Sequence, residues 1–183
     1  MTEISERYRK VAGQFTQRVQ SMPDAAWDNP APCDGWAARD VVRHLVEWIP
    51  GFFQSNADLK FPAAPSVDDD PAAAWQAVNN TLQSALDDPD LASREFEMRM
   101  GTYRVDDAIA MFCMGDILVH TWDLARAAGL DESLDATEVH RMFEGIESMD
   151  EAMRNSGHYG PRVVVPDDAD EQTKLIAFTG RRP

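Results

Sequence analysis

Apolar residues recur at three- and four-residue steps along most of the chain, the period of a helix with one buried face. Tyr8, Val11, Ala12, Phe15 and Val19 mark a first helix, with Pro23 just beyond it. The segment NPAPCDGWAARD reads as a loop turning into a helix start, where Asp40 favours the N-terminal dipole. The helix it opens carries Val41, Leu45, Trp48, Ile49 and Phe52 as its buried face. FPAAPSVDDDP is a linker by composition, and a third helix begins near Pro71, presenting Trp75, Val78, Leu82 and Leu86. REFEMRMGTYRV alternates weakly around a glycine and predicts a short extended or hairpin excursion.

The longest helix is expected over about 106–128, stopping at Gly129. A fifth, from about Thr137, carries Val139, Met142, Phe143, Ile146 and Met153. Beyond it SGHYGP predicts a turn, VVV a short strand, and DADEQTKLIAF a last short helix. Four amphipathic helices with one long crossover predict a mainly all-α fold. The expected arrangement is one domain over 1–183: a four-helix bundle whose core spans about 3–128, with short C-terminal additions over 129–183.

The longest helix carries the strongest chemical signal. With Asp116 at zero on a wheel of about 100° per residue, Val105, Ile109, Phe112, Val119 and Ala127 fall within about 60° of it. His120 and Asp123 fall there too, so the stripe that should be driest holds two carboxylates and an imidazole. Burying a charge without a partner costs several kcal/mol or shifts its pKa. A divalent metal would compensate all three groups. His44, between Val41 and Trp48 on the second helix, supplies a third donor beside the Asp116–His120 pair. Two donors at i and i+4 plus one from a neighbouring helix leave coordination positions open, as reactive sites do. Zn²⁺ suits two His and a carboxylate, and Ni²⁺, Fe²⁺ and Mn²⁺ share such ligands.

Plainer roles compete with this one. A lone His on an apolar face is often a satisfied core residue, and Asp123 can cap a backbone or orient a ligand without touching the ion. Glu47 reads as solvated, His140 as a surface residue, and His158 as a turn residue able to line a pocket. Cys33 precedes a helix start, where a thiol pKa can fall, although a structural role suits it as well. The Met and Trp residues read as core.

Composition narrows the partners. At 44% hydrophobic residues with five Trp, the chain belongs to the folded class. A net charge of −15 repels phosphate backbones and anionic membranes, so neither nucleic acid nor a membrane is expected as a partner. Two cysteines make no disulfide framework, the N-terminal MTEISERYRK lacks the pattern of a signal peptide, and no apolar run was expected to reach the ~20 residues of a membrane span. A cytoplasmic protein acting on a small molecule, as a monomer or homodimer, is the expectation.

PCDGWAARDVVRHLVEW resembles the cysteine-x-glycine-tryptophan … aspartate … histidine-leucine pattern of the mycothiol-dependent maleylpyruvate isomerase metal-binding domain, a family of the DinB-like four-helix superfamily. GDILVHTWDLARAAGLDESLD resembles its second block, an acid-x-x-x-His followed by Trp-Asp-Leu-Ala and Gly-Leu-Asp. The tail GPRVVVPDDADEQTKLIAFTGRRP is similar to compact members ending in Gly-Arg-x-Pro. The resemblance implies a DinB-like bundle with a metal triad at His44, Asp116 and His120, and a mycothiol-like thiol as co-substrate. It departs in two places: the isomerase has Glu at the position of Asp116, and its second, C-terminal domain has no counterpart in these motifs. Maleylpyruvate isomerisation is therefore not expected to transfer. A thiol-dependent S-transferase or isomerase is the leading expectation, beside a metal-dependent hydrolase and a non-catalytic metal- or ligand-binding protein.

Overall fold

A computed structural model of the chain describes residues 2–147, 149–155, 157 and 159–183. Helix α1 (Glu3–Gln20) starts where the Thr2 side chain accepts the Ser5 N–H, with Glu3 and Glu6 at its positive end. Helix α2 (Ala38–Ala57) follows a loop, and the Asp40 carboxylate accepts the Ala37 N–H at 2.9 Å. Helix α3 (Pro71–Asp87) pairs a first-turn proline with Asp70, whose side chain accepts the Ala73 N–H. A short α4 (Pro89–Ala92) leads to an antiparallel hairpin of β1 (Glu95–Met98) and β2 (Gly101–Arg104), which puts Phe96 opposite Tyr103.

The hairpin runs directly into the longest helix, Val105–Ala128, 24 residues in length. It comprises α5 (Val105–Ala108), one π turn (Ile109–Cys113) and α6 (Met114–Ala128), and ends at Gly129 with φ of 66°. α1 and α2 each pack against both α3 and α6, so they stand at opposite corners of the bundle. The core between them holds Tyr8, Phe15, Leu45, Ile49, Trp75 and Ile117, all fully buried. Phe15 meets Trp75 edge to face at 4.7 Å, and the Trp75 indole donates to Thr16 Oγ1 at 2.8 Å, so the ring's one polar atom is satisfied. Helix α7 (Ala136–Glu147) packs on α6 and on α9 (Glu171–Phe178), with α8 (Asp150–Asn155) between them in sequence.

The mainly helical fold agrees with the periodicity, and so does the hairpin. Three expectations need correction. Met153 lies on α8 rather than on a single fifth helix. Residues 163–165 form no strand: the Val163 N–H donates to the Ala177 carbonyl of α9, and Val164 points into solvent at 94% exposure. Three valines have high strand propensity, but no neighbouring strand lies beside them among the described residues. Finally, Val105–Ala128 is long and apolar enough to cross a membrane by length and composition. Its most apolar stretch is 72% buried inside the bundle, and it carries Asp116, His120 and Asp123, so here it is the central core helix.

Candidate metal centre

On α2, Val41, Leu45 and Ile49 are fully buried, which leaves His44, Trp48 and Phe52 on a half-buried stripe at the edge of that face. The stripe looks across at Asp116 and His120 on α6. His44 Nε2 lies 3.0 Å from Asp116 Oδ2, and the Trp48 indole N–H donates to the same oxygen at 2.8 Å. His120 Nε2 lies 3.3 Å from Asp116 Oδ1. One donor atom from each of His44, Asp116 and His120 lies within 4.8 Å of the other two. The residues singled out on the wheel and their partner on the second helix are therefore brought together.

The far side of His120 is equally well defined. Its Nδ1 is 2.8 Å from Asp123 Oδ2. Arg181, from the C-terminal tail, grips both Asp123 oxygens, Nε to Oδ1 and Nη2 to Oδ2, each at 2.7 Å. Among the described residues Asp123 caps no backbone; it accepts from a ring, a guanidinium and, at 3.5 Å, the Cys33 thiol. Because an ionised carboxylate only accepts, His120 Nδ1 carries the proton of that bond, and Nε2 is the nitrogen left to face Asp116. This is the carboxylate–histidine arrangement that fixes the tautomer of metal-binding imidazoles. Trp36, from the loop before α2, stacks over His120 with ring centres 5.8 Å apart and planes inclined by 20°. It also lies 5.2 Å from the His44 ring.

Burial would raise the Asp116 carboxyl, but the charge and hydrogen bonds of His120 and His44 outweigh it and hold Asp116 well below the usual carboxylate range. Asp123 is lowered in the same way: burial opposes ionisation, and His120 and Arg181 overcome it. Burial works against a charged His120, yet Asp116, with help from Asp123 and Cys33, lifts it well above its ordinary value. Burial and the Asp116 charge push the Tyr159 phenol up to about 12. Asp116, His120, Asp123 and Arg181 thus alternate in charge from the half-open end of the site to its buried end.

The donor set fits a divalent cation. Zinc bonds of about 2.0 Å arranged tetrahedrally separate neighbouring donors by about 3.3 Å. Here His44 Nε2 faces Asp116 Oδ2 at 3.0 Å and His120 Nε2 faces Oδ1 at 3.3 Å, and one donor atom from each of the three residues lies within 4.8 Å of the other two. A second grouping, Cys33 with His120 and Asp123, also converges. There Arg181 already supplies the cation: it occupies both Asp123 oxygens and donates to Cys33 Sγ at 3.3 Å.

Asp116 was expected on the driest line of its helix, but its side chain is 30% exposed, whereas those of His120 and Asp123 are 5% and 0% exposed. All three lie on α6 beyond the π turn and share one helical phase, so the difference comes from what faces each: Asp116 meets the half-buried stripe of α2, whereas Asp123 is covered by Arg181. Sequence reasoning also missed the hydrogen-bonding role of Trp48, taking Trp48 and Phe52 for core; their positions four and eight residues after His44 were the available signal. It assigned no role to Arg181 and gave Trp36 no place over the rings. Glu47 is exposed, as expected. His140 is also exposed and pairs with Glu171 at 3.0 Å. His158 lies outside the described residues.

The family profile described as the mycothiol maleylpyruvate isomerase N-terminal domain matches residues 8–125, a span that includes His44, Asp116, His120 and Asp123. Two uncharacterized proteins, from two strains of Mycobacterium tuberculosis, are each 27% identical to this chain over 157 residues, covering 83% of it and 83% of their own length. No solved structure matches the chain. The chain belongs to the mycothiol maleylpyruvate isomerase N-terminal domain family.

Proposed function

We propose that this family member is a metal-dependent enzyme acting on a small molecule, an S-transferase or isomerase that uses mycothiol or a similar low-molecular-weight thiol. The observation that carries the reading is the convergence of His44, Asp116 and His120 donors from two helices, with His120 held in one tautomer by a fully buried acid. Zinc is the proposed ion, with Ni²⁺, Fe²⁺ or Mn²⁺ compatible with the same donors. Three protein donors leave room for a further ligand, unlike the closed four-ligand shells of structural sites. Bound there, the metal would supply Lewis acidity and a lowered pKa for an incoming thiol.

The chain's own residues prepare that site. Trp48 fixes the Asp116 carboxylate through its indole N–H. Trp36 stacks on His120 and packs at a tilt against His44, walling one side of the site. Asp123 keeps a proton on His120 Nδ1 and directs Nε2 into the site. The family description names mycothiol, which supports the thiol co-substrate. The charge of −15 and two free cysteines fit a cytoplasmic enzyme with a small-molecule substrate rather than a nucleic-acid or membrane partner.

Metal analysis of the purified protein, followed by turnover of epoxide, halide and activated-alkene probes with and without thiol, tests the reading. The expected result is about one equivalent of metal and turnover that requires both metal and thiol. Turnover without thiol would favour metal-assisted hydrolysis. Non-exchangeable metal with no small-molecule binding would favour a binding protein. Unchanged turnover in metal-free protein would refute the reading.

A further inference from the structure

Arg181 lies beyond the span matched by the family profile, yet it reaches the centre of the bundle. Its side chain is 11% exposed, and the guanidinium forms a two-pronged pair with Asp123, which is fully buried. The tail is pinned just before it. After α9, the Gly180 N–H donates to Ala177 O and the Arg181 N–H to Ile176 O. Gly180 has φ of 91°, and a Cβ there would stand 2.8 Å from the Gly160 backbone, so only glycine lets the two strands of chain approach this closely. These backbone contacts fix the point from which the Arg181 side chain reaches Asp123.

We infer that Arg181 is a positioning residue: by clamping Asp123 in a fixed plane, it holds the His120 ring with Nε2 facing His44 and Asp116. The inference rests on the metal reading above. Its reasoning is geometric. Asp123 has two oxygens and uses Oδ2 for both His120 Nδ1 and Arg181 Nη2, while Oδ1 takes Arg181 Nε. With both oxygens fixed by a planar fork, the carboxylate cannot rotate, and the imidazole bonded to it keeps one orientation. A lysine would neutralise the acid equally well but as a point charge, without fixing its plane. Among the described residues Arg181 makes no hydrogen bond to Asp116 or His44; it bonds Asp123 through both oxygens and Cys33 through one N–H, so it acts on His120 through these two and chiefly through Asp123.

The test compares wild-type protein with Arg181→Ala, Arg181→Lys, Asp123→Asn and Arg181→Ala/Asp123→Asn. Zinc affinity is measured by chelator competition, and the visible spectrum of the cobalt-substituted protein reports ligand geometry. Arg181→Ala is expected to weaken zinc binding by roughly 10–100-fold and to shift the cobalt bands. Millimolar guanidinium is expected to restore both, and the double variant should bind no more weakly than Asp123→Asn alone. Arg181→Lys should keep the melting temperature but not the cobalt spectrum. If Arg181→Ala fails to fold, Arg181→Lys decides the matter. Wild-type affinity and spectrum in the variants, with only the melting temperature lowered, would make Arg181 a staple and overturn the inference while leaving the metal reading intact. Wild-type protein that takes up no metal would overturn both.

Discussion

Metal binding at this site should release a proton, and the structure sets the sign and size of the effect. In the metal-free protein His120 is flanked by Asp116 and Asp123, and although burial disfavours its charge, these acids keep it protonated well above its ordinary value of 6.5. A metal ligand must be deprotonated, so an ion that takes His120 Nε2 has to displace that proton. Below the raised value, zinc affinity should fall about tenfold per pH unit, which is about 1.4 kcal/mol per unit; above it the affinity should level off. The stability of the metal-free fold follows the opposite trend. Stabilisation from charged His120 is fully present below 6.5 and is lost as pH rises through its raised folded value. Asp116 and Asp123, both lowered, contribute stability that is lost as pH falls through the acid range. The increase in melting temperature produced by zinc should therefore grow with pH. Titration calorimetry in buffers of different ionisation enthalpy counts the protons released. About one proton at neutral pH, diminishing as pH rises, is expected. Zero release with tight binding would show that His120 is not a ligand or is not charged in the metal-free site.

Other perturbations test neighbouring parts of the site and fold. His120→Ala should abolish both stoichiometric metal and thiol-dependent turnover. Asp123→Asn should keep metal at stoichiometric concentrations but lower turnover roughly 10–100-fold, read by metal analysis and a thiol-consumption assay. Trp48→Phe removes an indole donor from an oxygen that is partly open to water, so the cost should be about 1.5 kcal/mol, at the low end for bonds to charged groups; chelator competition should show roughly a tenfold loss of affinity. In the core, Trp75→Ala empties a fully buried site and should cost about 3–5 kcal/mol, measured as a shift of the urea midpoint.

What could be read from the sequence followed the reach of periodicity. Period 3.6 located α1, α2, α3 and the long helix because each buries one continuous face, and it exposed His120 and Asp123 as polar groups on an apolar stripe. The same reasoning placed Trp48 and Phe52 in the core, because an apolar ring has the same sequence appearance whether it fills a core or walls a cleft. The half-open setting of Asp116 escaped the wheel because an angle on one helix does not say whether the neighbour facing it is a closed core or a cleft. The Arg181–Asp123 pair spans 58 residues and leaves no periodic trace, since its partners belong to different elements joined only by the fold. Residues 163–165 failed in the opposite sense: local strand preference was present without a partner to satisfy it.

The π turn at Ile109–Cys113 gives the long helix a wide collar between two α-helical lengths. Upstream, Val105 and Ile109 keep step with the bundle core; downstream, His120 and Asp123 keep step with the ligand cluster. The surplus residue in that turn is absorbed there, because five residues wound as a π turn sweep about the same angle as four wound as an α-helix. Removing one residue from the collar would therefore rewind it to ordinary α geometry and leave both lengths facing as they do now. Removing one between Asp116 and His120 would instead turn His120 by about 100° relative to Asp116. Length is thus a strict constraint within α6 and a lax one within the collar.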